Sequence, residues 1–306
     1  MIATADYELL REDAGLVDRS ERAKLRLAGG DAAEFLQGQV TNDVEALAPG
    51  TGCYAALLSH KGKVQVDMRI LRGQDWIWLD TEPGRQELME RTVRTYGIGR
   101  DVRAEDATGT HAVLSLLGPR ARAALDAEPP DEEHSFVEGE HGLYVATLLG
   151  VDVICPADEV EAVTVALGVE PVSDEAAECL RIEAGRPRFG LDFNTDTIPE
   201  EADLNDRAVS FTKGCYVGQE TVARLHYKGK PNRHLRGLRL SEPAPTGTDL
   251  RLGERTVGTL GSVAESPVHG PIGLAIVRRE AGPGDELALG DSGATAAVVE
   301  LPFGVT

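Results

Sequence analysis

Residues 213–220, Lys-Gly-Cys-Tyr-Val-Gly-Gln-Glu, gather an ammonium, a thiol, a phenol, an amide, a carboxylate and two glycines. A core helix or strand would be mostly apolar, so the segment reads as a site. Its nucleophile is Cys215. A thiol reacts as thiolate, and three neighbours favour that form: Lys213, the backbone amide exposed at Gly214, and the positive end of a short helix expected over residues 218–227. The alternative is a tight turn around an inert, buried cysteine. Cys53, Cys155 and Cys179 lie among Ala, Val, Ile and Leu and read as small buried hydrophobes. No CxxC pair occurs, which suggests free thiols and neither a zinc site nor a disulfide.

Charge singles out the same region. Residues 213–239 hold seven cations, Lys213, Arg224, Lys228, Lys230, Arg233, Arg236 and Arg239, against one acid, Glu220, in a chain of 306 residues with a net charge of -20. Such a strip draws anionic ligands to one place. The acidic remainder argues against a broad nucleic-acid surface. The chain has no Walker A loop, Rossmann glycine pattern, HExxH or serine elbow, and its seven histidines are scattered without metal-ligand spacing. The longest apolar stretch, residues 142–156, is broken by Asp152 and too short to span a bilayer, and the first residues turn acidic at once. The expected location is the cytoplasm.

The elements that must position these groups alternate between helix and strand, which predicts an α+β protein. Helices are expected over residues 6–14, 32–40 (capped by Asp31), 84–95 and 159–167. Residues 37–44 then gather amides and a hydroxyl, and Gln39, Thr41 and Asn42 serve either a helix end or a ligand. Residues 53–72 form a hairpin turning at 60–63, with Val64, Val66, Met68 and Ile70 on one face and Asp67 and Arg69 on the other. Asp67 is then a solvated strand carboxylate unless that face meets a ligand. Residues 173–184 are the clearest helix, with Ser173 as cap, Asp174 and Glu175 in the first turn, and Gly185 and Pro187 as the stop. Glu183 in its last turn opposes the helix dipole by a few tenths of a kcal/mol. It either binds a ligand or is compensated by Arg181 and Arg186. From residue 232 onward, short alternating runs, one of them 256–263, are separated by Pro and Gly turns. They predict a small antiparallel barrel or sandwich.

The 213–220 segment resembles the KGCYxGQE signature of the YgfZ-type folate-binding proteins, a branch of the glycine-cleavage T-protein superfamily. Residues 35–44, FLQGQVTNDV, and 180–185, LRIEAG, are similar to two further family segments, so the resemblance covers nearly the whole chain. It implies a three-part ring. Residues 1–231 would form two interleaved α+β units, the inner one roughly 50–110, and residues 232–306 a β-barrel, enclosing a tetrahydrofolate or one of its one-carbon derivatives. Glu183 would then pair with the pterin, Arg224 and Arg233 would receive the glutamyl tail, and Lys213, Tyr216 and Asn42 would complete the folate contacts. Cys215 would serve thiol transfer, transient iron-sulfur ligation or redox sensing. The implied function is assembly or repair of iron-sulfur clusters in client enzymes, including enzymes that modify tRNA. The T-proteins carry a paired Asp-Asp where this chain has Val66-Asp67. Asp67 would therefore be the catalytic carboxylate of the alternative function, aminomethyl or other one-carbon transfer to tetrahydrofolate.

Overall fold

The computed structural model describes residues 4–304. The chain opens with helix α1 (Thr4–Glu12), strands β1 (Gly15–Asp18) and β2 (Ala23–Ala28), helix α2 (Ala32–Gln37) and the hairpin β3 (Thr51–Leu58) and β4 (Val64–Arg72). Strand β5 (Trp76–Thr81), helix α3 (Gln86–Tyr96) and strands β6 (Arg103–Asp106), β7 (His111–Leu117), β8 (Phe136–Gly139), β9 (Gly142–Thr147) and β10 (Gly150–Pro156) follow. Helices α4 (Val160–Leu167), α5 (Asp174–Glu183), α6 (Asn205–Ala208) and α7 (Gln219–Lys228) lead to the last seven strands. These are β11 (Arg233–Leu240), β12 (Asp249–Leu252), β13 (Arg255–Thr259), β14 (Val263–Ser266), β15 (Gly270–Arg278), β16 (Glu286–Leu289) and β17 (Ala294–Val299).

They build three sheets. One has the order β3-β4-β5-β2-β6, and a second has β1-β7-β10-β9-β8. The two interleave in sequence, because β1 pairs with β7 across all the strands of the other sheet. On β4 the alternation holds from Val66 onward: Val66, Met68 and Ile70 pack with Phe35 and Leu36 of α2 and Met89 and Val93 of α3, whereas Val64, expected on that face, is turned by a bulge opposite Leu57 and Leu58 into another cluster with Ala56 and Phe189. The opposite face is not solvated, however. The second sheet covers it, with Leu71 and Trp78 packing on Val113, Val145 and Ile154. Asp67 and Arg69 are consequently only 7% and 5% exposed. Reading Asp67 as a solvated carboxylate fails because strand periodicity separates two faces without saying what covers each.

The third sheet closes on itself. It runs β11-β17-β16-β12-β13-β15, and β15 pairs back to β11 while carrying β14 along its other end. Leu238, Leu250, Val257, Val277, Leu287 and Val298 fill it. Residues 256–263 divide between β13 and β14 where one run was expected. The break falls at Ser262, whose N–H and Oγ–H donate to Asp192 at 2.7 and 2.8 Å, while its carbonyl still accepts the N–H of Leu274 on β15. Tertiary partners displace the expected caps too. Asp31 accepts the N–H of Asp101 at 2.7 Å, and the Ser173 N–H donates to Asp6 at 2.9 Å; neither Asp31 nor Ser173 caps its own helix. Among the described residues no helix is long and apolar enough to cross a membrane.

Candidate functional site

Between the two five-stranded sheets lies a polar cluster built around one ring. The Tyr54 hydroxyl on β3 donates to Asp67 Oδ2 on β4. The Arg207 guanidinium sits 4.7 Å from the Tyr54 ring centroid, and the His134 imidazole stacks on the ring at 6.5 Å. Arg69 stands directly opposite Tyr54 in the β3–β4 register. Each of these neighbours keeps one buried polar atom unpartnered: Asp67 Oδ1, Arg69 Nη2, His134 Nδ1 and Arg207 Nε. Nearly all buried polar atoms in proteins are bonded, so four such atoms about one ring set this cluster apart from the rest of the interior. Arg207 also lines a cavity of about 200 Å³, shared with Glu133, Asp152, Arg181, Arg186 and Thr147, whose hydroxyl is likewise buried and unpartnered.

Burial pushes the Asp67 carboxyl upward, and Glu82 adds to this against the Tyr54 hydrogen bond and Arg22. His134 goes the other way. Burial, with Arg69 and Arg207 nearby, depresses it to about 4, so its ring is neutral near pH 7. It also holds a left-handed backbone at φ 75°, rare for a residue with a side chain. Because its folded pKa lies below the ordinary 6.5, the unfolded chain takes up that proton first as pH falls. The native state should therefore lose stability between pH 6.5 and about 4, by at most on the order of 3 kcal/mol, and His134→Phe should flatten that part of a urea-denaturation pH profile.

A chain of ion pairs adjoins this cluster. Asp80, fully buried, accepts Arg69 Nε at 2.7 Å, Trp78 Nε1 at 3.2 Å and Arg22 Nε at 2.9 Å. Arg69 Nη1 crosses to the second sheet and donates to Asp152 at 2.6 Å, where Ser115 also donates at 2.7 Å. From Arg22 the chain runs through Glu82 to Arg188, then to Glu178 and Arg181 on α5, and Arg181 reaches the barrel at Ser262, 2.7 Å away. All three sheets are thereby joined by alternating charge.

The 213–220 segment lies elsewhere, on the outside of the hairpin tip. Gly218 has φ 84° and packs so closely that a Cβ there would stand 2.5 Å from the Ser59 carbonyl oxygen, which is why only glycine fits before α7. Cys215 is exposed, and so is Glu220. Lys213 faces inward instead: its ammonium donates to the carbonyls of Gln37, Val40 and Asn42 at 2.6, 2.7 and 2.7 Å, and burial lowers it to about 8. It therefore pins the 37–42 turn and has no donor left for a ligand. Asn42 is committed as well, with Nδ2 donating to the carbonyls of Tyr54 and Arg207. Thr41 bridges the Ala208 carbonyl and the Ala56 N–H. Tyr216 is buried with Phe189, Phe193 and Val222, which pushes its phenol up to about 12. Arg233 holds Glu201 through two bonds of 2.9 and 2.7 Å. Arg224 alone of the expected tail-binding pair is exposed and unpaired among the described residues.

Glu183 occupies a third place. Its Oε1 accepts Tyr7 at 2.9 Å, Ser266 at 2.5 Å and the Cys179 thiol at 3.5 Å, and its Oε2 shares the Tyr7 hydroxyl. It ties α1, α5 and the barrel together. Asp67, Glu183 and Cys215 thus fall into three separate environments. Sequence reasoning missed Tyr54, His134 and Arg207. The hairpin register could have flagged Tyr54 as a same-face neighbour of Asp67; the other two arrive from distant loops and leave no local signal.

The architecture matches known proteins. Residues 1–138 match the GCVT N-terminal domain family. The chain is 31% identical to the tRNA-modifying protein YgfZ of Serratia proteamaculans over 81% of this chain and 80% of that one. The chain is a YgfZ-type member of the GcvT superfamily. It is also 30% identical to the probable aminomethyltransferase of Natronomonas pharaonis, over 97% of this chain and 89% of that one. The superfamily fold is seen directly in the glycine cleavage system aminomethyltransferase T of Bartonella henselae, which superimposes with a TM-score of 0.88 at 24% identity, covering 98% of this chain and 89% of that one. The superfamily's two α+β sheets and closed antiparallel barrel are those described above, as the resemblance implied.

Proposed function

We propose that this protein binds tetrahydrofolate, or a one-carbon derivative of it, at the polar cluster between the two sheets, entering from the cavity beside Arg207, and that it supports iron-sulfur enzymes, including those that modify tRNA, through Cys215. The observation that carries the binding site is the set of four buried unpartnered atoms around Tyr54. A pterin edge presents adjacent N–H donors and a carbonyl acceptor. Asp67 Oδ1 suits the donors, Arg207 Nε and Arg69 Nη2 suit the acceptor, and the Tyr54 and His134 rings offer apolar faces. Tetrahydrofolate would supply the one-carbon carrier. The bonds that engage Glu183 make it a structural joint in this reading, and the pterin contact passes to the groups of the polar cluster.

Titration calorimetry with 5-formyl-tetrahydrofolate tests the site. Arg207→Ala should weaken binding by about tenfold or more, the loss of a charge-assisted bond, while Cys215→Ala binds like wild type. Wild type failing to bind, or Arg207→Ala binding equally well, would sink the assignment. The thiol's task is read in cells: a strain lacking the protein should lose iron-sulfur enzyme activity under oxidative stress, and Cys215→Ala should fail to restore it.

A second reading has its own observation. Asp67 is buried, which raises its proton affinity, and is hydrogen-bonded by Tyr54, a setting that suits a proton acceptor. It favours one-carbon transfer, in which Asp67 takes a proton from the amine of the donor.

A further inference from the structure

The cations of residues 213–239 separate in the structure into committed and free. Lys213 is sealed by carbonyls, Arg233 by Glu201, Arg236 is half-buried with Nη1 on the Leu235 carbonyl, and Arg239 lies over Phe303. Arg224, Lys228 and Lys230 are exposed and, among the described residues, outside any ion pair. All three lie on α7 or within two residues of its end. Beside them α7 carries an aromatic platform. The His226 ring stacks on Phe211 at 3.8 Å with 14° between planes, and Tyr227 meets both edge-on while remaining 65% exposed. An exposed tyrosine of this kind contributes little to folding.

The surface continues past the helix start. Gly62 of the hairpin tip would bring a Cβ within 2.7 Å of Thr221 on the first turn of α7, so tip and helix form one face. There a cavity of about 380 Å³ opens, bounded by Val217, Gln39, Gln65, His60, Arg91 and the 58% exposed Tyr96. Amides, an imidazole and an aromatic ring around a space with ample room for a base are hydrogen-bonding and stacking groups. The helix between cavity and platform is about 15 Å long, a distance of a few nucleotides.

We propose that this face binds a single-stranded segment of nucleic acid. Arg224, Lys228 and Lys230 take successive phosphates, one base stacks on Tyr227 and His226, and another enters the cavity toward Gln39 and Gln65. A duplex would need a wide basic surface, which a chain of net charge -20 does not offer. An acidic peptide would use the cations but leave the stacked rings and the cavity idle. The site lies apart from the interior polar cluster and stands whether or not a folate binds there.

Fluorescence anisotropy with a labelled ten-nucleotide RNA of mixed sequence, the same sequence as DNA, and a ten-base-pair duplex decides the matter. One or both single strands should bind at 50 mM salt and the duplex at least tenfold more weakly. The log affinity should fall against log salt with a slope near -2, about 0.7 for each of three phosphates. Tyr227→Ala should weaken binding about 5- to 100-fold and Tyr227→Phe much less, with unchanged thermal unfolding because the side chain is exposed. Arg224→Ala with Lys228→Ala should flatten the salt slope. No binding at 50 mM salt, equal binding of the duplex, displacement by polyglutamate as readily as by unlabelled RNA, or wild-type affinity in Tyr227→Ala would each overturn the proposal.

Discussion

Asp80→Ala is expected to destabilise the protein by about 3–5 kcal/mol in urea denaturation. Burial alone would push this carboxyl up, yet the guanidiniums of Arg69 and Arg22 hold it below the usual range, so it is charged and fully paired inside the protein. Removing it leaves two arginines facing each other. Arg69 is 5% exposed and already lacks a partner for Nη2. The cost comes mainly from those two guanidiniums, each left with a single carboxylate, Asp152 for Arg69 and Glu82 for Arg22. The double change Arg69→Met with Asp80→Leu should therefore cost clearly less than Asp80→Ala alone, since a buried pair exchanged for apolar side chains of similar size is often neutral. A loss under 1 kcal/mol for Asp80→Ala would mean that the ion-pair chain does not hold the sheets together.

Asp67→Asn should move stability and function in opposite directions. The native state favours the protonated carboxyl, so at neutral pH the charged form is a burden on folding. By linkage, with the folded pKa raised, any stability this group contributes is present at low pH and lost as pH rises through that pKa. An amide keeps an acceptor for Tyr54 and carries no charge. We expect about 0.5–2 kcal/mol of added stability at pH 7.5, shrinking toward pH 4. If the transfer reading is right, methylene-tetrahydrofolate formation from aminomethyl donors should fall at least a hundredfold in the same variant. An Asp67→Asn protein less stable than wild type would contradict the picture of a carboxylate whose charged form is disfavoured by burial.

Local pattern carried most of the architecture into the sequence. The alternation in 64–72, the helix before Gly185 and the turn-spaced runs after residue 232 each report a period and a stop, and these depend on near neighbours only. What lay beyond reach was contact between distant segments. Nothing near Asp67 says that a second sheet covers its face, and nothing near Lys213 says that its ammonium will meet three carbonyls some 170 residues earlier. Composition misled for the same reason: seven cations in one stretch suggested a ligand-facing strip, yet Lys213 and Arg233 are consumed by internal partners, and only side-chain geometry separates them from Arg224. Glu183 shows the converse. Its cost at a helix end was legible, but the donors that offset it come from Tyr7 and Ser266.

The sealing of Lys213 also bears on reagent selectivity. An exposed thiol and an amine two residues apart would ordinarily compete for any electrophile that entered their loop. Here the amine's three protons are held by carbonyls inside the protein, while the sulfur of Cys215 stands in solvent. A small alkylating or disulfide-forming partner that reaches this loop therefore meets one nucleophile, and acylation of Lys213 requires the 37–42 turn to open first.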